Sequence, residues 1–373
     1  MARIVVLSRR SIIHPRGGGA CRYVHEIFRR LTDRHSITIL SSGGGDLGGK
    51  PIQEIDGIDY RHFSESSHRV LLPARYLAKF AGKTDLLIDN SDVGIPWLTP
   101  LYARTPRITI VHQLIREIFY QELPRPISDI GFISEPLLYR LYSGSRIVAV
   151  SQSTARELVD WGIPEDNVDV VSPGCTIPTG PRATLDERSP NTVGCVTRLM
   201  KYKGVQLAFM AFRRIVRESP RAKLVIAGAG PYQNELERIA GDIGMSKNVI
   251  FLGRVSDESK FKLYREARVM ISPSQREGFG MSVIEANSVG TPVVGWDVPG
   301  LRDSIVHNET GFLAPFPDDQ ALAGEVGQLL NDDETWERLS QNAWKWASNH
   351  TWDQSASSFR TIIEATLAKA KEH

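Results

Sequence analysis

The sequence is poor in cysteine and has almost no net charge. Its 373 residues include three cysteines, Cys21, Cys175 and Cys195. That odd number, without the paired spacing of a zinc site, excludes a disulfide framework and favours a reducing compartment. The net charge of +2 provides no basic field of the kind that indicates a nucleic-acid partner.

Long hydrophobic segments are also missing. No apolar run approaches the ~18 residues expected of a membrane-spanning helix. The apolar run in MARIVVLSRR is too short for the core of a signal peptide. We therefore expect a cytoplasmic protein that spans no membrane, and a peripheral position at the inner face of a membrane stays open.

Two ligand-binding patterns are absent as well. The glycine-rich loops lack the GxGxxG spacing that binds a nicotinamide cofactor, which argues against a dehydrogenase. The sequence also contains no Asp-x-Asp pair that could hold a metal ion. We therefore expect neither a cofactor nor a metal.

What the sequence does contain is a repeated alternation of β-branched runs and amphipathic helices. Apolar runs without strict alternation predict parallel strands buried on both faces. This pattern predicts an α/β protein with two doubly wound, Rossmann-like domains facing a cleft. Strands are predicted at 3–8, 36–41, 85–89, 107–111, 146–151 and 168–172, and then at 192–197, 223–228, 248–253, 268–272, 292–296 and 310–314.

A stretch rich in proline and glycine separates the two series of strands. It predicts an N-terminal domain over 1–175, a linker over 176–191 and a C-terminal domain over 192–352. A final helix, at about 353–373, is expected to pack back on the N-terminal domain.

Candidate binding residues follow the predicted strands, where open α/β sheets bind ligands. Gly18 and Gly19 lie between a strand and a helix, where backbone N–H groups can approach an anion. A merely tight loop is the alternative. Arg198 and Lys203 follow the first strand of the second series, and glycine-containing loops follow the next two.

The segment REGFGMSVIEA, residues 276–286, holds two carboxylates. Glu277 precedes a predicted helix start, and Glu285 lies roughly 8 Å further along the helix. This separation suits neither a metal pair nor a two-carboxylate hydrolase. It favours one extended ligand held at two places, such as a nucleotide-sugar.

Five segments of the second half carry a family resemblance: RLMKYKG, GAGP, FLGRV, EGFGMSVIEA and GTPVVGWDVPG. They resemble the retaining glycosyltransferases of family 4, which have the GT-B fold and an EX7E motif. The resemblance implies transfer of a hexose-type sugar from a nucleotide diphosphate, UDP or GDP, to an acceptor hydroxyl. The product would be a polysaccharide, a glycolipid or another glycoconjugate.

The resemblance also implies a role for each matching position. Glu277 would hold sugar hydroxyls, and Glu285 would accept hydrogen bonds from the ribose. Arg198 and Lys203 would bind the diphosphate, and His112 would lie near the anomeric centre. The other implied donor-binding positions are Gly18, Gly19, Gly230, Arg254, Val255, Gly278, Phe279, Gly280, Met281 and Ser282.

Several alternatives stay open. Residues 113–142 fit an acceptor pocket, an amphipathic surface for a lipid-linked acceptor or ordinary helix packing. The glycine-rich stretch 41–50 is expected to be a loop. A nucleotide-sugar epimerase of GT-B shape and a regulatory protein that binds a nucleotide-sugar without turnover are the competing functions. The sequence does not specify the oligomeric state.

Overall fold

The fold consists of two α/β units. A computed structural model describes residues 1–42, 52–63, 73–74, 76, 78–91, 96–178 and 180–372. The first unit comprises Met1–Gly174 with Trp352–His373, and the second comprises Cys175–Thr351. Most of the glycine-rich stretch expected to be a loop, from residue 43 onward, lies outside the described residues.

The first unit is built on an eight-stranded sheet with the order β3-β4-β2-β1-β5-β6-β7-β8. All neighbouring strands are parallel except β3 and β4, which form an antiparallel pair at the edge. The strands are β1 (Ala2–Arg10), β2 (His35–Ser42), β3 (Ile52–Ile55), β4 (Ile58–Phe63), β5 (Leu86–Ser91), β6 (Arg107–Val111), β7 (Arg146–Ala149) and β8 (Val168–Val170).

Helices cover the sheet of the first unit, and the last helix of the chain is one of them. Phe28 and Phe359 stack edge to face at 5.4 Å, and Arg30 donates to Asp353 at 2.5 Å, so the last helix packs on the first. The helices are α1 (Gly19–Phe28), α2 (Ile118–Glu122), α3 (Ile127–Arg140), α4 (Gln152–Asp160) and α12 (Trp352–Lys369).

The second unit has a fully parallel six-stranded sheet with the order β11-β10-β9-β12-β13-β14. The strand order reverses between β9 and β12, which is where doubly wound sheets bind ligands. The strands are β9 (Ser189–Val196), β10 (Lys223–Ala227), β11 (Val249–Gly253), β12 (Ala267–Ser272), β13 (Val293–Trp296) and β14 (Gly311–Ala314).

Side-chain caps fix several helix starts in the second unit. The Ser256 hydroxyl accepts from the backbone N–H of Ser259, and the Asp332 carboxylate accepts from that of Thr335. The helices are α5 (Val205–Glu218), α6 (Gln233–Asp242), α7 (Asp257–Glu266), α8 (Met281–Asn287), α9 (Leu301–Ser304), α10 (Asp319–Asn331) and α11 (Asp333–Ser348).

The predicted fold class, two doubly wound α/β units, is confirmed, and each predicted strand overlaps a strand of the structure. The sequence analysis missed β3 and β4, which are joined by a turn at Asp56-Gly57. β3 lies at the edge of the sheet and β4 next to it. Both strands mix polar and apolar residues, unlike the continuous apolar runs that indicate strands buried on both faces. The expected linker over 176–191 ends inside β9, and Arg188, just before that strand, is buried in the second unit.

Among the described residues, no helix combines the length and the apolar character that crossing a bilayer would require.

Candidate functional site

Lys203 and Glu277 form an ion pair in the second unit. The Lys203 Nζ lies 2.6 Å from Glu277 Oε1, and the Ser274 hydroxyl donates to the same oxygen at 2.7 Å. The Lys203 side chain is 9% exposed and that of Glu277 15% exposed. Because both donors share one oxygen, the carboxylate is held from one side.

Two glycines in left-handed conformation let the surrounding loops approach one another closely. Gly204 has φ +68°, and a Cβ there would lie 2.0 Å from the carbonyl oxygen of Pro273. Gly300 has φ +83°, and its Cβ would lie 2.2 Å from the carbonyl oxygen of Glu277. Only glycine fits either position without moving the loop that carries Glu277.

The charge of Lys203 is stabilised by its partner. Burial alone lowers the pKa of Lys203, but the Glu277 carboxylate and Tyr202 more than offset this effect, and the net pKa is raised. The nearby Arg198 charge opposes that rise. Lys203 is therefore a buried cation at neutral pH, and it bonds directly to Glu277.

Glu285 has a different environment. It lies in α8 and is 8% exposed. Lys260 donates to its Oε1 at 2.9 Å, and the Tyr264 hydroxyl donates to its Oε2 at 2.9 Å. Lys260 is also paired with Asp257 at 2.9 Å. Both carboxylate oxygens of Glu285 are thus engaged by α7.

The other expected donor-binding residues of this unit lie in loops after strands. Arg198 is exposed after β9, 3.5 Å from the Tyr202 hydroxyl, and the loop with Gly230 follows β10. Arg254 is exposed and Val255 partly buried after β11. Because β9, β10 and β11 are adjacent and parallel, these three loops all leave the sheet at the carboxyl ends of its strands.

The glycine turn leads directly into α8. Gly280 has φ +94° and precedes the helix, so the first N–H groups, at Met281 and Ser282, have no carbonyl partner within it. Gly278 is buried, and the buried Phe279 ring lies parallel to Trp346 at 6.5 Å. Phe279 therefore anchors the turn to α11, and its ring faces protein.

His112 follows β6 in the first unit. Its Nε2 lies 2.7 Å from Asn90 Oδ1, while Asn90 Nδ2 donates to the Ser8 hydroxyl at 3.2 Å. With the amide oxygen turned to the ring, Nε2 carries the hydrogen and Nδ1 is an acceptor. Burial lowers the pKa of His112 to about 3, so the imidazole is neutral.

Gly18 and Gly19 lie at the start of α1. Gly18 is the residue before the helix, with extended backbone (φ −137°), and Gly19 is its first residue. Gly17 N–H is already bonded to the carbonyl of His14 at 2.7 Å. The loop is thus folded on itself just before the expected phosphate-facing glycines.

Sequence reasoning missed the residues that hold the expected ones in place. Ser274, Lys260 and Tyr264 position the two glutamates, and Asn90 orients His112. Ser274 lies three residues before Glu277, a spacing that was visible but not used. Lys260 and Tyr264 come from another helix, and one sequence gives no signal of that contact.

No group of three His, Cys, Asp or Glu side chains able to hold a metal ion occurs in the part of the chain that the structure describes. Charged side chains near Glu277 include its partner Lys203 and Arg198, whose charge acts on Lys203.

Comparisons with known proteins agree with this architecture. Residues 17–177 match the family model Glycosyltransferase Family 4, and residues 181–346 match Glycosyl transferases group 1. The chain is 30% identical over 301 residues to the D-inositol 3-phosphate glycosyltransferase of Corynebacterium efficiens, a match that covers 74% of this chain and 69% of that protein.

Two solved structures share the fold over nearly the whole chain. Sucrose-phosphate synthase from Thermosynechococcus elongatus has a TM-score of 0.83 at 18% identity, covering 99% of this chain and 100% of that one. HepE from Anabaena, solved in complex with UDP-glucose, has a TM-score of 0.78 at 20% identity, covering 98% and 100%.

Proposed function

Because this chain belongs to the glycosyltransferases, of group 1 in its second half and family 4 in its first, we propose that it is a retaining, metal-independent hexosyltransferase. Its donor would be a nucleotide diphosphate-sugar and its acceptor a hydroxyl of a glycan or a lipid-linked glycan. The relative named for inositol 3-phosphate and the UDP-glucose complex of HepE support a hydroxyl-rich acceptor and a uridine donor.

The observation that carries the proposal is the open oxygen of Glu277. Lys203 and Ser274 both bond to Oε1, so Oε2 is available to accept a hydrogen bond from a sugar hydroxyl. A carboxylate fixed in this way is a preorganised acceptor, and it costs no rearrangement when the ligand arrives. Glu285 would meet the ribose while it keeps its contacts with α7.

Cations and backbone N–H groups would stabilise the departing diphosphate. Negative charge grows on the diphosphate as its bond to the sugar breaks, so fixed donors stabilise the transition state more than the ground state. Arg198, Lys203 and the N–H groups that begin α8 are the proposed donors. Removing one such donor typically costs about 2.7–4 kcal/mol of transition-state stabilisation.

Retention requires attack on the face from which the diphosphate leaves. We infer that a phosphate oxygen takes the proton of the acceptor hydroxyl as the new bond forms. We further propose that the neutral His112 binds a substrate hydroxyl, with Nδ1 as the acceptor. An inverted product, seen by NMR, would exclude this course.

A binding panel tests the donor. Thermal unfolding would be followed with UDP, GDP, ADP, their sugars and NAD, each with and without EDTA. A ligand at 100 times its dissociation constant adds about 2.7 kcal/mol and moves the midpoint by several degrees. A shift with one nucleotide-sugar that survives EDTA is expected; a shift only with NAD, or none, would refute the proposal. Turnover without acceptor would favour an epimerase, and binding without any turnover a regulatory protein.

An apolar ridge on α3 supports a lipid-linked acceptor. Five side chains, four on α3 and one directly after it, recur every three or four residues and are 42–66% exposed: Ile127, Ile130, Ile133, Leu137 and Leu141. The joint change Ile130→Ser and Ile133→Ser should reduce co-sedimentation with phospholipid vesicles. The change Met210→Ser, at an exposed residue of α5, should not. Equal sedimentation of both variants would exclude a role for this ridge in membrane binding.

A further inference from the structure

Ser274 lies between the end of β12 and Glu277, and its side chain is almost fully buried. Its hydroxyl donates to Glu277 Oε1 at 2.7 Å. The Lys203 ammonium donates to the same atom at 2.6 Å. Two donors on one oxygen fix both the position and the rotation of the carboxylate.

The second oxygen is left for a ligand. Among the described residues no hydrogen bond or ion pair engages Glu277 Oε2, although the side chain is only 15% exposed. Unlike the fully buried polar atoms that lack a partner, this oxygen is reachable from solvent. A sugar hydroxyl can therefore approach it and donate to a carboxylate whose other oxygen is already held.

Other buried serines of the same unit behave differently. Ser288 donates to the backbone carbonyl of Glu285 at 2.7 Å, and Ser340 to that of Gly290 at 2.5 Å. The Ser288 bond stays within one helical turn, and the Ser340 hydroxyl also accepts from Arg182 at 2.7 Å, so neither hydroxyl donates to a carboxylate. Ser274 instead donates to the side chain proposed to touch the sugar, three residues further along its own loop.

We propose that Ser274 is a positioning residue that turns Glu277 so that Oε2 faces the sugar of the donor. The proposal rests on the proposed glycosyltransferase function. Lys203 alone allows the carboxylate to rotate about a single contact, whereas the second donor removes that freedom. The sugar, and not the nucleotide, should therefore be the part of the ligand that depends on Ser274.

Calorimetry with two ligand pairs tests this dependence: UDP-glucose against UDP, and GDP-mannose against GDP. Ser274→Ala should weaken binding of the nucleotide-sugar about tenfold or more, the typical effect of one hydrogen bond to a charged group. Affinity for the nucleotide diphosphate should stay within about twofold. Ser340→Ala, which removes a buried hydroxyl bonded to backbone, should change neither affinity.

A double-mutant cycle separates positioning from general loosening of the loop. In a Glu277→Ala background, Ser274→Ala should cause no further loss of nucleotide-sugar affinity, since its only target is gone. An additive loss would overturn the proposal. So would a Ser274→Ala protein that binds like the wild type, or one that loses both ligands equally.

Binding by the wild-type protein distinguishes a failure of the Ser274 proposal from a failure of the proposed function. If it binds a nucleotide-sugar but Ser274→Ala has no selective effect, only the role of Ser274 is wrong. If the wild type binds no nucleotide-sugar at all, the proposed function falls, and the role of Ser274 falls with it.

Discussion

Glu277 and Glu285 are both partnered by a lysine and a hydroxyl, but the two carboxylates are bonded in different ways. Lys203 and Ser274 share one oxygen of Glu277. Lys260 and Tyr264 take one oxygen each of Glu285. The first carboxylate therefore presents an unengaged oxygen, and the second is bonded on both sides by α7.

This difference separates a carboxylate arranged for a ligand from one that also holds the fold together. The contacts of Glu285 join α8 to α7, whereas those of Glu277 join two loops after strands. Burial, followed by the Glu285 charge, raises the pKa of Tyr264 well above its usual range, so its hydroxyl keeps its proton and remains a donor. Changes at Glu277 should therefore reduce activity and also destabilise the protein, because the buried Lys203 ammonium loses its counter-charge. Changes at Glu285 should act mainly on stability.

The largest effect is expected from Glu277→Gln on transfer. The amide oxygen can replace Oε1 for Lys203 and Ser274, but an NH₂ group, which cannot accept, then occupies the open position. We expect kcat/KM to fall about a hundredfold, since a hydrogen bond to a charged acceptor is lost. Steady-state kinetics with the nucleotide-sugar found in the panel measures this.

The matched control is Glu218→Gln, at an exposed glutamate that ends α5. It should transfer at the wild-type rate. Unchanged kcat/KM in Glu277→Gln would remove the central assignment. Because this variant also leaves Lys203 without its counter-charge, kcat/KM is compared under conditions in which denaturation shows the variant to be folded.

The next effect is expected from Glu285→Gln on stability. Two donors approach two different oxygens, and the amide offers only one acceptor, so one donor is left facing an NH₂ group. We expect the free energy of unfolding to fall by about 1–3 kcal/mol, the cost of a buried unsatisfied group. Urea denaturation of both glutamine variants compares them directly. An unchanged free energy of unfolding in Glu285→Gln would show that its contacts with α7 do not stabilise the fold.

How these carboxylates are held was only partly readable from the sequence. The segment EGFG, the strand alternation and the positions of Arg198 and Lys203 predicted where the site would lie. The sharing of one oxygen could not be predicted, because it depends on how the Gly204 and Gly300 turns bring loops together. The bond from Tyr264 is likewise set by the packing of α7 on α8, which no local pattern encodes.

His112, in the first unit, shows a similar contrast between its two ring nitrogens. Asn90 bonds Nε2 of His112, and no bond within the described residues engages Nδ1. The sequence predicted His112 from its place after a strand, but Asn90 and Ser8 belong to other strands of the sheet. Their contact with His112 depends on the order of the strands in the sheet. The sequence predicted a doubly wound sheet but did not predict that order.

The pH dependence of stability tests the burial of His112. Its pKa is lowered from 6.5 to about 3 in the folded protein, so the unfolded chain binds a proton there that the folded one does not. The free energy of unfolding should then fall as pH drops from 6.5 towards 3, by up to about 1.4 kcal/mol per pH unit for one proton. Above pH 6.5 this contribution is constant.

His112→Gln should lack that part of the slope. Burial also lowers the pKa of His25, His35 and His62, but these residues act equally in both proteins. The difference between the two curves from denaturation at a series of pH values therefore reports His112. Parallel curves would mean that His112 is protonated as easily in the folded state as in the unfolded one.

The smallest effect is expected from Tyr264→Phe, which removes one of the hydrogen bonds to Glu285. The phenyl ring keeps its edge-to-face contact with Phe261 at 5.6 Å, so only the hydrogen bond is lost. We expect a loss of about 1 kcal/mol in the free energy of unfolding, less than for Glu285→Gln, because no donor is left unpaired. Tyr232→Phe, at a partly exposed tyrosine before α6, should cost less still. Affinity for the nucleotide diphosphate should hold, since Lys260 still bonds Glu285 Oε1. A marked fall would show that the Tyr264 bond is what orients Glu285 towards the ribose.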